Sequence, residues 1–170
     1  MIVRSGLFHK KIVLASIFCC LCFITLAQDS LLTGLNDNTI YDTRFRSVEL
    51  YRTGAILSDP IIEIDNAETL TCTFDELYPE NESYYSTVIH CNADWTTSEL
   101  VTTEYLAGIP EGLIENYEPS LSTYIPYHHY EFTFPGKDFE LLISGNYLLM
   151  VYTLTETGEK DIRFTRRFMV

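Results

Sequence analysis

The stretch "YYSTVIHCNADWTTSEL", residues 84–100, decides how the chain is read. It brings His90, Cys91, Asp94 and Trp95, the only tryptophan, close together, which invites a metal or catalytic centre. Residues 84–93 are also dominated by Tyr, Thr, Val and Ile, the composition of a β-strand. Successive side chains on a strand point to opposite faces. Tyr85, Thr87, Ile89, Cys91 and Ala93 then face one way, and Ser86, Val88, His90 and Asn92 the other. His90 and Cys91 therefore cannot reach the same metal ion or act as a dyad. Asp94 falls where the strand ends, a place where aspartate closes turns, and Trp95 is expected to cap the core beside it. On this reading the segment is the end of a strand, and its polar residues hold structure.

Working outward, further short β-type runs recur. They are 46–52, 60–64, 70–74, 117–124, 128–134, 146–154 and 162–170, separated by breakers such as Thr53-Gly54, Pro135-Gly136, Ser144-Gly145 and Thr157-Gly158. No amphipathic helical stripe is sustained. One helical signal exists: Thr96-Thr97-Ser98-Glu99 has capping-box spacing and leads into "LVTTEYLAG". The pattern predicts an all-β chain, an antiparallel immunoglobulin-like β-sandwich of seven to eight strands. Strand 146–154 is apolar on both faces, so it is either central and covered on both sides or part of an interface.

The first 27 residues stand apart. Arg4, Lys10 and Lys11 precede the apolar run "IVLASIFCCLCFITLA", which is shorter than the ~20 residues of a membrane span. Thr25-Leu26-Ala27 fits a small-x-small cleavage site, so residues 1–27 read as a signal peptide. Phe18 before Cys19 argues against a lipoprotein signal, which wants a small residue there. Residues 28–45 read as a polar lead-in arm, and 46–170 as one domain. All 24 acidic residues follow position 27, and 11 − 3 = 8 basic ones do, so the exported chain carries a net charge near −16. Such a chain repels phosphate backbones, which excludes nucleic acid as a partner class.

Catalytic and ligand signatures are missing. There is no Gly-x-Ser-x-Gly, no phosphate-binding loop and no Cys-x-x-Cys pair, so no cofactor, metal or small-molecule substrate is expected. Cys72 and Cys91 remain after the leader. In an exported protein they are either bridged or two small buried hydrophobes.

In chain order, "SVELYRTG", "DPIIEI", "LTCTFDEL", "YYSTVIHCNADWTTSEL", "EYLAG", "IPYHHYEFTFP", "SGNYLLMVY" and "TRRFMV" resemble the first domain of the type IX secretion system plug proteins of Bacteroidetes. The resemblance runs from about Arg46 to Val170. It implies an immunoglobulin-like domain of a periplasmic protein peripheral to the outer membrane. The implied partner is a giant outer-membrane translocon barrel whose periplasmic mouth is plugged, and no enzymatic activity goes with it. The resemblance does not say which residues form the interface. Family members continue beyond this domain, and the chain reads as one that stops after it. The alternative function is a secreted carbohydrate-binding or adhesive sandwich, in which exposed Tyr and Trp95 would stack on sugars. A small hydrolase is the third reading.

The last strand carries one further expectation. Phe164, Arg166, Phe168 and Val170 share a face, so Arg166 points inward and needs a carboxylate or several carbonyls. Asp94 is the expected partner and Asp75 the reserve; Arg167, on the other face, is expected to be solvated.

Overall fold

The computed structural model describes Leu35 and residues 37–170, except 65, 81 and 138. The expected signal peptide, with Cys19, Cys20 and Cys22, and residues 28–34 and 36 of the expected lead-in arm lie outside the described residues.

Alternating apolar residues build ten strands: β1 Phe45–Arg52, β2 Leu70–Leu77, β3 Tyr84–Cys91, β4 Leu106–Gly108, β5 Glu111–Ile114, β6 Tyr117–Pro119, β7 Tyr127–Phe134, β8 Phe139–Leu141, β9 Asn146–Leu154 and β10 Lys160–Met169. One four-residue helix, α1 Thr102–Tyr105, precedes β4. Two four-stranded antiparallel sheets form, ordered β1-β2-β7-β6 and β10-β9-β3-β5, with β4 and β8 as a small third ladder. These orders reproduce an immunoglobulin sandwich, with β1, β2, β7 and β6 as its strands A, B, E and D and β10, β9 and β3 as G, F and C. The sandwich expected from sequence is present, with ten strands rather than seven to eight.

Several boundaries moved for identifiable reasons. Residues 60–64 form no strand: Ile61 makes a single parallel bridge to Met169. That loop instead links the sheets, because Pro60 O accepts from Met169 N and Ile62 N donates to Met169 O. The run expected over 117–124 stops at Pro119, where Ser120 turns the chain and Ser122 adopts φ 56°. The expected capping box at Thr96–Glu99 is not used. Thr97 bridges to Cys91 instead, and the helix starts later, with the Glu104 carboxylate accepting from Val101 N at 2.8 Å.

The core follows the alternation. Leu70, Cys72 and Phe74 of β2 meet Tyr84 and Val88 of β3, Tyr147, Leu149 and Val151 of β9, and Phe164 and Phe168 of β10. Phe74 stacks on Tyr130 at 4.7 Å and meets Tyr84 and Phe164 edge-on. The β9 strand is central, between β10 and β3, and buried on both faces: Leu148, Met150 and Tyr152 are as inaccessible as the core-facing set. Beyond β10, residues 39–42 run along its free edge, through Thr165 N to Thr39 O and Tyr41 N to Arg163 O, both at 2.8 Å.

A candidate binding surface

The residues of the opening stretch end up in three different environments. His90 pairs with Tyr147 and Cys91 with Asn146 across the β3–β9 ladder. The His90 ring meets the Tyr147 ring edge-on at 5.0 Å, and its Nδ1 lies 2.9 Å from Ser98 Oγ. Its other nitrogen faces Gly145, so closely that a Cβ built there would sit 2.6 Å from Nε2. Burial holds the imidazole below its usual pKa, which keeps it neutral. Gly145 in turn exchanges two backbone hydrogen bonds with Val170, at 2.8 and 3.0 Å. Asn146 Nδ2 donates to Asn92 O at 3.1 Å. The quoted segments "HCNADW", "SGNY" and "RRFMV" thus meet at one end of the second sheet.

Asp94 is exposed and closes the turn after β3. Its Oδ1 accepts from Thr96 N at 3.0 Å and Thr96 Oγ1 at 2.6 Å. These bonds hold its carboxyl below the usual carboxylate range, against a smaller opposing effect of burial. The expected pair between Asp94 and Arg166 does not form, and neither does the reserve pair with Asp75, which binds His129 Nδ1 at 2.7 Å. Arg166 is served by carbonyls: Nη1 donates to Thr165 O at 2.8 Å, and Nε and Nη2 to Val48 O at 3.4 and 3.3 Å. Val48 is available because β1 bulges between Arg46 and Glu49, with Ser47 at φ 50°. Arg167, not Arg166, approaches the tryptophan, its guanidinium lying 4.5 Å from the Trp95 ring centre. One ring face of Trp95 is therefore occupied.

Cys72 and Cys91 are both free and buried. A bridge is prevented by strand parity. Cys72 belongs to the core cluster, whereas Cys91 shares the opposite face of β3 with Tyr85, Thr87 and Ile89. Burial pushes the Cys91 thiol up to about 11 and the Cys72 thiol higher, so neither is a ready nucleophile. Among the described residues, no three His, Cys, Asp or Glu side chains cluster so as to hold a metal ion. An open hollow beside β5 and β7, lined by Leu113, Asn116, Glu131 and Phe132, contains no Cys, Ser or His.

A polar cluster that the sequence reading missed occupies the opposite end. Glu76 is fully buried, yet it accepts from Tyr84 Oη at 2.6 Å and Tyr130 Oη at 3.2 Å, and Arg44 Nη1 lies 3.8 Å away. Burial first, and these contacts with Glu76 second, push the Tyr84 hydroxyl far above its usual pKa. Arg44 and Arg163 are shared among Asp42, Glu80 and Glu82: Arg44 reaches all three at 2.9, 2.9 and 3.4 Å, and Arg163 reaches Asp42 and Glu82 at 3.2 and 3.0 Å. The alternation Leu70, Cys72, Phe74 pointed at Glu76 as the next inward residue.

Above this cluster, the β6–β7 loop presents apolar side chains to solvent. Leu121 is 84% exposed and Tyr124 is 101% exposed, with Ile125 beside them. Tyr78, 59% exposed, adjoins the loop, its backbone N–H donating to Pro126 O at 2.9 Å. The loop is well fastened. Ser120 N donates to Tyr127 O at 2.8 Å, Tyr127 N donates to Ser120 Oγ at 3.0 Å, and Thr123 Oγ1 lies 2.8 Å from both Ser120 Oγ and Ile125 O.

Comparison with known proteins resolves the family. The profile of the type 9 secretion system plug protein first domain matches residues 45–170, which spans every strand described above. The chain belongs to the type IX secretion plug protein family. A crystal structure of a hypothetical protein from Parabacteroides merdae superposes with a TM-score of 0.72 at 31% identity, covering 78% of this chain and 33% of that one. The plug domain described here thus spans about a third of that relative's length. No curated protein matches the chain. Membership connects the chain with type IX secretion and with an exported, Bacteroidetes setting.

Proposed function

We propose that the chain is exported, loses residues 1–27, and serves as a non-enzymatic periplasmic module that helps to close the periplasmic mouth of the type IX outer-membrane translocon. The observation that carries this reading is the family match over residues 45–170, a stretch that includes the whole sandwich. The basic, apolar leader and the strongly acidic body agree with it. The carbohydrate-binding alternative called on exposed Tyr and Trp95; of these, Trp95 has one ring face covered by Arg167 at 4.5 Å, which closes that face to sugar stacking.

The test is co-purification. The full chain, tagged and expressed with its leader in a Bacteroidetes host, should start at Gln28 when recovered and should bring down a very large outer-membrane barrel. Recovery of a chain still beginning at Met1, or free of any barrel at native expression, would overturn the reading.

A further inference from the structure

Each sheet of the sandwich ends in two edge strands, β1 and β6 in the first and β10 and β5 in the second. An edge presents a row of backbone donors and acceptors that another extended chain can pair. Three of these edges are blunted. Residues 39–42 run along β10. The β1 edge bulges between Arg46 and Glu49, and Arg166 donates to the Val48 carbonyl there. The short β6 ends in Pro119, which has no N–H to offer. The β5 edge, Glu111–Ile114, carries no proline, lysine or bulge. Its one charge, Glu111, is folded against Lys160 at 2.6 Å.

Strand parity says which β5 groups are free. On the side of β3 away from β9, His90 O accepts from Ser98 N and Asn92 N donates to Thr96 O. The even-numbered residues of β3 therefore bond toward β5, and Gly112 and Ile114 are the β5 residues that bond to Ser86 and Tyr84. The N–H and C=O of Glu111 and Leu113 point outward, and none of the described residues bonds to them. The facing sheet has a matching vacancy. β7 bonds toward β6 through its odd-numbered residues: Tyr127 O accepts from Ser120 N, and Glu131 N donates to Asn116 O. Thr133, the next odd residue, has no strand beside it on that side. Between the two vacancies lies the open hollow, lined by the apolar Leu113, Ile114 and Phe132 and by the carboxylates Glu115 and Glu131, with no Lys or Arg.

A row of unpaired backbone groups is matched by one kind of ligand, an extended polypeptide that adds a strand. The carboxylates at the hollow select the charge of that strand, because cations meeting them attract and acids repel. The same charges disfavour a second copy of this chain, since pairing through β5 would bring acids of both copies together.

We propose that the β5 edge is a peptide-binding site. It takes an extended, Lys- or Arg-bearing segment of a partner protein, whose backbone pairs with Glu111 and Leu113. Apolar side chains of the segment face the hollow at Ile114 and Phe132, and cationic ones reach Glu115 and Glu131. The site goes beyond the proposed function and does not depend on it.

The test titrates the isotope-labelled full chain with a capped hexapeptide of alternating Lys and Val, followed by amide NMR. Two comparison peptides are used: a fully N-methylated one, which keeps the charges and loses every N–H, and one with Glu in place of Lys. The expected result is saturable binding, with shifts centred on residues 111–116 and 131–133 and slowed hydrogen exchange at Leu113. Both comparison peptides should bind at least tenfold more weakly. Leu113→Pro, which removes an outward N–H and no bond to β3, should weaken the parent peptide at least fivefold; if that variant fails to fold, the N-methylated peptide carries the same comparison. No saturable binding, shifts centred elsewhere, or N-methylated peptide bound within twofold of the parent peptide would each overturn the site. A dimer of the chain alone that Leu113→Pro dissolves would assign the edge to a second copy and overturn it too.

Discussion

Gly145→Ala should destabilise the domain by at least about 2 kcal/mol, because the space for a methyl group is taken by His90 and the backbone sits at φ 157°, which residues with a side chain rarely adopt. The added Cβ would lie 2.6 Å from Nε2 and 3.3 Å from Cδ2, where ordinary contact begins near 3.4 Å. Something must therefore move by most of an ångström, and two routes exist. If the ring swings away, it loses the Ser98 hydrogen bond, about 1 kcal/mol, and the edge-on contact with Tyr147, another ~0.5–1.5 kcal/mol. If the β8–β9 turn moves instead, it strains the two backbone bonds to Val170, each about 1 kcal/mol. Both routes arrive near the middle of the range for overpacked sites, about 1–3 kcal/mol. With a urea m-value of roughly 2 kcal/mol/M for a domain of this size, the midpoint should fall by about 1 M. The decisive comparison is a double-mutant cycle with His90→Ala. Once the ring is gone, only the backbone strain of alanine at φ 157° should remain, so Gly145→Ala should cost about 1 kcal/mol less than in the parent, a coupling typical of residues in contact. An equal loss in both backgrounds would refute the clash as the cause.

Glu76→Leu should cost about 2–4 kcal/mol in urea melts, because it leaves the Tyr130 hydroxyl buried without an acceptor and the Tyr84 hydroxyl with only its 3.2 Å bond to Glu82, whereas Glu76→Gln keeps an acceptor oxygen and should cost clearly less. Stability should fall on acidification in two stages. Burial lowers the His90 pKa, so the unfolded chain takes up that proton first and stability declines as pH drops below about 6.5. Burial opposes ionisation of Asp42, but Arg44 and Arg163 outweigh it and hold its carboxyl below the usual range. Its contribution is thus complete above about pH 4 and lost below it, and Asp42→Asn should flatten that lower limb of the melts. A chain starting at Gln28 should show no thiol reactive toward a disulfide reagent when native, and two thiols in urea without reductant; a single disulfide found by mass analysis would contradict the opposite-face placement of Cys72 and Cys91.

Strand parity was the most legible property of the sequence. It separated His90 from Cys91, marked β9 as buried on both faces, and set the alternation that built the core. Parity alone does not say which face is inside, and that is where the pairing of Cys72 with Cys91 was left open: only the packing of Tyr84 and Val88 against β2 turns Cys91 outward. The Arg166 expectation failed for a related reason. Its inward direction was readable, but its partner is a carbonyl released by a bulge in β1, and a bulge leaves almost no trace in residue types. Glu76 lay one alternation step beyond where the strand was taken to end, because an acid reads as a stop signal unless its tyrosine partners, far along the chain, are known. The loop carrying Leu121 and Tyr124 looked like strand, since apolar and aromatic residues favour pleated structure whether or not anything covers them.

The backbone bonds between residues 39–42 and β10 join positions more than a hundred residues apart along the chain. The segment just ahead of β1 is thus ordered by the last strand of the domain. A sheet closed in this way has high contact order and folds slowly. Until β10 arrives, the preceding strands have an unpaired neighbour position and the early segment has no template. Completion of the sandwich therefore waits until nearly all of the domain is available to fold. The same closure then hides the edge of β10 from other exported chains, so the timing of folding and protection against edge-to-edge aggregation come from one short run of hydrogen bonds.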